Sequence, residues 1–353
     1  SPTIAGYTAD KSEIPAVSGV QAKDQDRVET VTYRKDAQKA VIRYVSTNGN
    51  QVLKTDEVTG KSGESIAYST TSQITEFKKQ GYNLVSDEFT AGGAKVYDYD
   101  TARDQVYTVT LSERVEPVNP DNPSPQPNTP VNPGQPDSPR WPGTVENLDN
   151  KESVSRTIHY VYEDGSKAKD DVVETLNFKR WSRINLVTGQ IFFQDWTTND
   201  DTFDKVVSPT IAGYTADKSE IPAVSGVQAK DQDRVETVTY RKDAQKAIIR
   251  YVSTNGNRVL TTDEVTGKSG EAIAYSTTSQ ITEFKKQGYK LVSDEFTAGG
   301  AKVYDYDTAR DQVYTVTLSE RVEPVNPDNP TPQPNTPVNP GQPDSPRWPG
   351  TVE

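Results

Sequence analysis

Cysteine is absent from this chain of 353 residues, and histidine occurs once, as His159. The lack of cysteine excludes disulfides, thiolate metal sites and cysteine nucleophiles. A single histidine excludes histidine-rich zinc sites, and the place of His159 in a predicted strand argues against a Ser–His–Asp triad. His159 falls inside a predicted strand, where we interpret it as a surface residue. These absences argue against an enzyme and favour a binding or structural protein.

Basic charge and long apolar runs are also scarce. The chain has 39 lysine and arginine residues against 51 aspartate and glutamate residues, which gives a net charge of −12. Because nucleic-acid binding needs a basic face, we expect no nucleic-acid partner. No apolar run approaches the ~20 residues that span a bilayer, so we expect no membrane insertion. No signal peptide opens the sequence.

The content of hydrophobic residues is 32%, which is low for one large core. Tyrosine is the commonest aromatic residue, with 18 copies against 8 phenylalanines and 4 tryptophans. Tyrosine, threonine and valine favour β-strands. The length is sufficient for two to four modest domains. We therefore expect several small domains that are rich in strands.

An internal repeat covers most of the chain. Residues 1–146 and 208–353 align without a gap at an offset of 207 and differ at six positions. The differing pairs are Val41/Ile248, Gln51/Arg258, Lys54/Thr261, Ser65/Ala272, Asn83/Lys290 and Ser124/Thr331. The repeating unit is thus 207 residues long. Residues 1–36 match the end of a unit, without the part equivalent to residues 147–207.

Each unit contains two modules, of which the second type occupies residues 37–116 and again 244–323. Asn48-Gly49 lies between two β-rich runs and predicts a hairpin, because both residues accept positive φ. Residues 71–81 are predicted as a short helix that ends at Gly81. The predicted strands around it are 40–45, 51–53, 66–68, 82–85, 94–97 and 105–111. The main order is strand, strand, helix, strand, strand.

The first-type module occupies residues 151–243, and residues 1–36 correspond to its C-terminal part. It opens with a strand at 157–162 and a turn at 163–165, and it closes with a strand at 235–240. Both module types share an opening hairpin, a Gly-Tyr step and a closing valine-rich strand. We infer two variations of one α+β fold.

Proline-rich linkers, residues 117–150 and 324–353, join the two-module units. From Pro117 to Pro142 the prolines fall mostly at every third residue, which is the turn length of a polyproline II helix. The run has few apolar side chains and cannot build a core. It is therefore predicted to be a semi-rigid rod, about 80 Å long when fully extended.

A set of turn glycines and strand residues recurs at fixed spacing in the second-type module: Tyr44-Val45, Gly49, Thr59-Gly60, Gly63, Gly81-Tyr82 and Val106–Thr110. This pattern resembles the MucBP mucin-binding repeat. The two-module unit with its linker is similar to the long Mub repeats of lactobacillus cell-surface mucus adhesins. The resemblance covers the whole chain.

The resemblance implies tandem ubiquitin-like β-grasp modules, each a mixed sheet with a short helix, in an elongated chain. It further implies an extracellular, cell-wall-anchored protein whose signal peptide and anchor lie outside residues 1–353. The implied partners are mucin glycoproteins and their glycans and, for some repeats, immunoglobulins. The family's motif residues report the fold, so they mark no ligand site in this sequence.

Sugars present apolar CH faces and many hydroxyls, so their sites combine aromatic faces with polar side chains. The segments 97–100 and 304–307 have this composition, Tyr-Asp-Tyr-Asp. Strand alternation would place both tyrosines of each segment on one face, and core packing is the alternative. The candidate glycan-binding residues are Tyr97, Tyr99, Tyr304, Tyr306, Trp181 and Trp196.

An acidic loop offers oxygen ligands of the kind that Ca²⁺ prefers. Its candidate ligands are Asn199, Asp200, Asp201 and Asp204. The alternative is that Asp201 caps a helical turn at residues 201–207 and the other acids are solvated. No cofactor is required, and Ca²⁺ is an optional one. A calcium titration without heat and without a rise in melting temperature would exclude it.

The duplicated unit favours a multivalent adhesin fragment, because repeated sites raise avidity. Mucin carries sialate and sulfate, so attraction to this acidic chain must come from local lysine or arginine, hydrogen bonds, stacking or bridging Ca²⁺. The alternatives are immunoglobulin recognition through exposed sheet edges and a structural stalk. We expect a monomer. We also expect residues 1–36 to be less protected than residues 208–243.

Overall fold

The computed structural model describes residues 1–328 and 331–351. The chain divides into two units, each with its own packing. Unit 1 contains Ser1–Ser153 and Asn177–Asp200, and unit 2 contains Val154–Leu176 and Asp201–Glu353. Each repeat of the second-type module thus lies in its own unit. The first-type segment between them is shared, because its strands contribute to both.

The elements follow one another in three groups along the chain. The first group is β1 (Tyr7–Ala9), β2 (Tyr33–Lys35), β3 (Ala37–Ser46), β4 (Val52–Lys61), α1 (Thr71–Lys79), β5 (Tyr82–Asp87), β6 (Gln105–Glu113), β7 (Val115–Val118) and a 3-10 helix (Gly143–Asn147). The second is β8 (Lys151–Tyr162), β9 (Lys167–Lys179), β10 (Ser182–Asn185), β11 (Ile191–Phe193), β12 (Val206–Val207), β13 (Tyr214–Ala216), β14 (Glu220–Ile221) and β15 (Arg234–Lys242). The third is β16 (Ala244–Ser253), β17 (Val259–Lys268), α2 (Thr278–Lys286), β18 (Tyr289–Asp294) and β19 (Gln312–Glu320).

The second-type module is a four-stranded mixed sheet with one helix. Its strand order is β4-β3-β6-β5 in unit 1 and β17-β16-β19-β18 in unit 2. The two central strands of each sheet are parallel, and the outer pairs are antiparallel. The predicted order of strand, strand, helix, strand, strand is confirmed. The predicted short strands at 66–68 and 94–97 are reduced to one bridge, Ser65 to Val96.

Period-two alternation explains how this sheet builds its core. In β3, Ala40, Ile42 and Tyr44 are fully buried, whereas Arg43 between them is exposed. Ile74 and Phe77 of helix α1 pack against this face. The helix begins after Thr70, whose side chain makes no capping bond. The Thr70 hydroxyl instead donates to Asp87 at 2.6 Å, which ties the helix start to β5.

The first-type module forms its complete sheet in unit 2, with the strand order β13-β15-β8-β9. Strands β8 and β15 are parallel, with Tyr162 opposite Tyr240. The predicted helical turn at residues 201–207 is wrong. Phe203 is buried and bridges Val224, and β12 follows at residues 206–207. A buried phenylalanine in extended backbone replaces the capped turn.

Residues 1–36 have the same sequence as residues 208–243 but much less structure. Their strands are limited to β1 and β2, three residues each. Ile14 and Val20 are 48% and 70% exposed, while the equivalent Ile221 and Val227 are 2% and 4% exposed. Identical sequence is therefore buried only where β8 is present to pair with it. This supports the expectation of lower protection.

Amide exchange should reveal this difference directly. The amides of residues 28–33 should exchange faster than those of residues 235–240, because only the latter pair with β8. Hydrogen exchange resolved at the peptide level measures both segments in one sample. The identical sequences remove intrinsic exchange rates as a variable. Equal protection in the two segments would show that the pairing with β8 contributes nothing.

The proline-rich segment does not form the predicted rod. A polyproline II helix has no internal hydrogen bonds, but this segment folds back on itself between Asn128 and Trp141. Asn128 N donates to Trp141 O at 2.9 Å, and Trp141 N donates to Thr129 O at 2.9 Å. Asn128 supports the reversal with a positive φ of 62°. Asn and Gly residues between the prolines supply turns that the spacing of prolines alone did not indicate.

The start and end of the same segment are also structured. Pro117 lies within β7, which pairs with β10. Strands β7, β10 and β11 form a three-stranded sheet. Trp141, Val145 and Ile184 pack together in a small cluster beside it. The segment is thus a packed part of unit 1, and its few apolar residues make apolar contacts there.

None of the helices in the described ranges, 1–328 and 331–351, is long and apolar enough to cross a membrane.

Candidate functional site

The four tyrosines singled out from the sequence separate into two roles. Tyr97 and Tyr304 are 3% exposed and belong to the cores of the second-type modules. Burial raises the pKa of both phenols. Tyr99 and Tyr306 are about half exposed, at 50% and 53%. The prediction that each pair shares a face is wrong, because residues 97–100 and 304–307 turn instead of continuing a strand.

The half-exposed tyrosines lie between the two module types. A Cβ on Gly213 would stand 2.2 Å from the Tyr306 ring, and one on Gly270 would stand 2.8 Å from its hydroxyl. Both glycines have positive φ, so the backbone can pass close under the ring. Tyr99 has the same arrangement with Gly6 and Gly63. One face of each ring is therefore used to hold the modules together.

The two tryptophans lie next to the hairpin β10–β11 in unit 1. Trp196 is partly buried and stacks on the guanidinium of Arg180, whose carbon is 4.2 Å from the ring centre. Arg180 also lies 3.9 Å from the Phe193 ring and pairs with Asp149 at 2.9 Å. Trp196 is thus engaged in packing. Trp181 is 43% exposed and remains accessible to a ligand.

The acidic loop is solvent-exposed at all four candidate calcium ligands, Asn199, Asp200, Asp201 and Asp204. Asp201 accepts a hydrogen bond from the Thr202 hydroxyl at 3.0 Å. Across residues 1–328 and 331–351, no group of three or more His, Cys, Asp or Glu side chains is placed to hold a metal ion. Calcium binding stays a prediction.

A concave site that the sequence did not reveal lies in unit 2, where the first-type module meets the second-type module. We name it the tyrosine pocket. Its volume is about 320 Å³. It is lined by Tyr162, Glu163, Asp164, Tyr214, Tyr240, Lys242, Lys268 and Glu271. Parallel pairing of β8 with β15 brings Tyr162 beside Tyr240, and antiparallel pairing of β13 with β15 brings Tyr214 opposite Lys242.

Aromatic faces form one wall of the tyrosine pocket. The rings of Tyr162 and Tyr214 are 4.7 Å apart between centroids and tilted by 46°. Both are half-buried. Tyr240 is fully buried below them and donates its hydroxyl to Pro209 O. Two accessible rings over a buried third make a firm apolar surface with polar groups around it.

Charged groups of both signs line the rest of the pocket. Lys242 pairs with Glu271 at 3.6 Å. Hydrogen bonds from the Ser166 hydroxyl and backbone N–H hold the pKa of Asp164 below its usual range, and Lys242 adds to this effect. The ammonium of Lys268 has no ion-pair or hydrogen-bond partner in the described part of the chain. The pocket therefore offers carboxyl oxygens as acceptors and one uncommitted cation as a donor.

Two protein-family models alternate along the chain. The model described as a Muc B2-like domain matches residues 1–37 and 145–244. The model described as a mucin binding domain matches residues 38–113 and 245–320. No curated protein matches the chain.

Several solved structures are similar to parts of the chain. The MucBP domain of the adhesion protein from Pediococcus pentosaceus is 37% identical, and the match covers 26% of this chain and 98% of that domain with a TM-score of 0.24. The chain belongs to the mucin-binding repeat family. The type 2 repeat of the mucus binding protein MUB from Lactobacillus reuteri is 28% identical to this chain. The match covers 58% of this chain and 100% of that repeat, with a TM-score of 0.40. The Mub-RV crystal structure is 26% identical over 58% of this chain and 99% of its own, TM-score 0.47.

The mucin-binding repeats in this chain differ in how much of the tyrosine pocket they contain. Unit 1 has the equivalents of Tyr214, Lys242, Lys268 and Glu271, which are Tyr7, Lys35, Lys61 and Glu64. Lys35 and Glu64 form the same ion pair, at 3.7 Å. Within residues 1–353, unit 1 has no equivalents of Tyr162, Glu163 and Asp164. The pocket is therefore complete in unit 2 and half built in unit 1.

Sequence reasoning missed the pocket because its residues are far apart along the chain. The opening hairpin, the Gly-Tyr step and the closing strand were each recognised, but not their meeting point. The Gly-Tyr steps at Gly6-Tyr7 and Gly213-Tyr214 were the available signal. They place a tyrosine next to a glycine that allows close approach of another ring.

Proposed function

We propose that this chain is a repeat segment of an extracellular bacterial surface adhesin, and that it binds mucin glycans at the tyrosine pocket. Membership of the mucin-binding repeat family supports the adhesin role. The composition of the tyrosine pocket is the observation that supports a glycan-binding site there. It combines two accessible rings, acidic side chains and an uncommitted ammonium in one concavity.

Each part of the pocket suits one feature of a sugar. The CH face of a pyranose can lie on the Tyr162 and Tyr214 rings, which remove it from water. Asp164 and Glu271 accept hydrogen bonds from sugar hydroxyls, and bonds to charged acceptors are the stronger ones. Lys268 donates to ring or hydroxyl oxygens. A pocket of about 320 Å³ is at the small end of ligand sites, so it fits one or two sugar residues.

Single contacts of this size are weak, and several complete copies of the pocket in an array of units would supply avidity. A second binding event on a linked chain is intramolecular, and its effective concentration can raise the overall affinity by 10²–10⁴, on the order given by linked binding modules. The sheet order in each second-type module, with parallel central strands and one helix, supports a ubiquitin-like β-grasp fold for the repeated scaffold. Display on a cell wall is part of the same proposal.

The two copies of the repeat provide a matched test of the pocket. Tyr214→Ala and Lys268→Ala should each weaken binding to immobilised mucin by about tenfold, which corresponds to the loss of one stacking or charged contact. The equivalent changes Tyr7→Ala and Lys61→Ala should leave binding unchanged, because unit 1 lacks the Tyr162 wall. Surface plasmon resonance on mucin and on a mucin glycan array measures all four variants.

Melting curves control for misfolding in this comparison. Lys268 and Lys61 are both exposed, so neither change should affect stability. A loss of binding that is equal in the unit 1 and unit 2 variants would place the glycan site elsewhere, with Trp181 as the next candidate. Full binding by both unit 2 variants would remove the tyrosine pocket from the proposal.

Recognition of a host protein such as immunoglobulin is the second candidate. Leu84 and Val85 on edge strand β5 are 41% and 57% exposed, and their copies Leu291 and Val292 are 40% and 54% exposed. Exposed apolar residues on an edge strand favour addition of a strand from a partner. A pull-down from serum tests this, and the absence of captured serum protein with mucin binding intact would favour the glycan site alone.

A further inference from the structure

In unit 1, one end of the second-type sheet is covered by the hairpin β10–β11. Strand β10 pairs antiparallel with β7 along residues 182–185 and 115–118. Just beyond the pairing, Leu186 N donates to Arg114 O at 2.9 Å. The side-chain amide of Asn185 donates to Glu113 Oε2 at 2.6 Å. The hairpin is therefore bonded both to β7 and to the end of β6.

Side-chain packing also holds the hairpin β10–β11 against the end of the second-type sheet. A Cβ on Gly81 would stand 2.8 Å from Leu186 Cβ and 3.0 Å from its carbonyl carbon, so only glycine allows this approach. Val187 packs against the core of the second-type module. Tyr82, the first residue of β5, is 8% exposed beneath it. The sheet end in unit 1 is thus covered by side chains that the first-type segment supplies.

The same surface in unit 2 is uncovered. A Cβ on Gly288, the equivalent of Gly81, would meet no atom within 4 Å. Residues 322–325, the equivalents of β7, form no strand in the described chain. Val325 is 52% exposed, while its equivalent Val118 is 6% exposed. Val322 is 88% exposed against 44% for Val115.

The two surfaces have nearly the same sequence. The residues that hold the hairpin in unit 1, from Gly81-Tyr82 and from Glu113 to Val118, are unchanged at 288–289 and 320–325. The nearby differences are Asn83/Lys290 and Gln51/Arg258. Arg258 bonds the Tyr289 hydroxyl at 3.1 Å, beside the uncovered surface. Neither change removes a group that contacts the hairpin.

We infer that the surface formed by Gly288, Tyr289, Glu320, Arg321 and residues 322–325 is a docking site for a hairpin with the sequence of residues 177–200, carried by a second copy of the repeat unit. The occupant follows from the identical surface in unit 1, where this hairpin is seated. This inference concerns assembly of the repeats and is independent of glycan binding.

Sharing of the first-type segment explains why such docking would join repeats. Residues 177–200 belong to unit 1, and residues 154–176 belong to unit 2. The segment thus closes the second-type sheet that precedes it and completes the first-type sheet that follows it. In an array, each copy of the segment would complete one body on either side.

The test extends the 353-residue chain with a further copy of residues 147–207. The linker 326–353 has the same length as 119–146, so the added segment starts at the natural distance. Amides within residues 322–325 should gain on the order of tenfold protection from hydrogen exchange, because they become part of a three-stranded sheet. Residues 115–118 in unit 1 should show no change. The control is the same extension with Leu186→Asp and Asn185→Ala in the added copy only.

The control extension should restore the exchange rates of the original chain. Unchanged rates with the unaltered extension would overturn the inference. Equal protection by the altered and unaltered extensions would do the same, because it would show nonspecific shielding. Mucin binding is measured in parallel, so a failed glycan site is distinguished from failed docking.

A second comparison needs no extension. Gly81 and Gly288 both have positive φ, 95° and 93°, so a side chain causes similar backbone strain at either position. Only Gly81 contacts Leu186. Gly81→Ala should therefore lower the melting temperature more than Gly288→Ala and should raise exchange at residues 115–118. Equal effects of the two variants would show that hairpin docking contributes nothing to the sheet end.

Discussion

Replacing Arg156 with alanine should lower the free energy of unfolding of unit 2 by about 3–5 kcal/mol, the range for breaking a buried ion pair. Arg156 is completely buried. Its Nε donates to Glu174 Oε2 at 2.6 Å, and its Nη1 donates to Pro222 O at 3.0 Å. A third bond goes to the carbonyl of Asp204. The variant leaves a partly buried carboxylate and two carbonyls without their donor.

Arg156 has this effect because it joins four segments. It lies on β8, Glu174 lies on β9, and the two carbonyls belong to the loops that carry β12 and β14. The guanidinium also lies 5.2 Å from the ring centre of Phe203, which contributes a cation–π contact. Strands β8 and β9 complete the sheet that buries residues 208–243. The loss should therefore expose β15 as well as the immediate neighbours.

Differential scanning calorimetry and hydrogen exchange measure this prediction. The transition of unit 2 should fall by roughly 10 °C for a unit of this size, and amides 235–240 should exchange as fast as amides 28–33. The matched control is Arg156→Met with Glu174→Leu, which removes both charges. That pair should recover most of the loss, since replacing a buried ion pair by apolar side chains is often neutral. A single variant that melts like the parent chain would contradict the assigned role.

Much of the fold followed from local signals. Alternation in β3 and β16, the Asn-Gly hairpin and Gly81 after a short helix predicted the second-type module in its observed order. Alternation also places Arg156 on the same face as Ile158 and Tyr160, and both of those residues are buried. A charged residue among buried positions of one strand face indicates a buried ion pair. The partner, Glu174, could not be predicted, because the register between β8 and β9 decides which acidic residue lies opposite Arg156.

The errors came from tertiary context. Prolines at every third residue predict a polyproline II helix only where the backbone forms no internal hydrogen bonds. In this segment Asn128 adopts a positive φ, and the turn that follows allows such hydrogen bonds to form. The tyrosine pocket depends on the meeting of Tyr162, Tyr214 and Lys268, which pairing of distant strands decides. Residues 1–36 and 208–243 show the same limit most clearly. One sequence has two degrees of burial, so its neighbours determine its structure.

Replacing Tyr97 with alanine should destabilise the second-type module of unit 1 by about 3 kcal/mol, the cost of emptying a buried aromatic site. Tyr97 was a candidate for contact with sugars, but it is 3% exposed. Because Tyr97 is a core residue, its removal should lower the stability of the module. Mucin binding should stay unchanged as long as the module is folded. Urea unfolding measures the stability, and Tyr304→Ala should reproduce the effect in unit 2.

A double-mutant cycle with Gly60 tests whether the Tyr97 ring packs on the backbone at Gly60. A Cβ at Gly60 would stand 2.1 Å from Tyr97 Cε2, so Gly60→Ala alone should cost about 1–3 kcal/mol through overpacking. In the Tyr97→Ala background the ring is gone, and Gly60→Ala should be neutral or stabilising because alanine suits a strand better than glycine. The double-mutant cycle should therefore show a coupling of at least about 1 kcal/mol. Additive effects would mean that the ring does not lie on Gly60, and Tyr97 would again be available to a ligand.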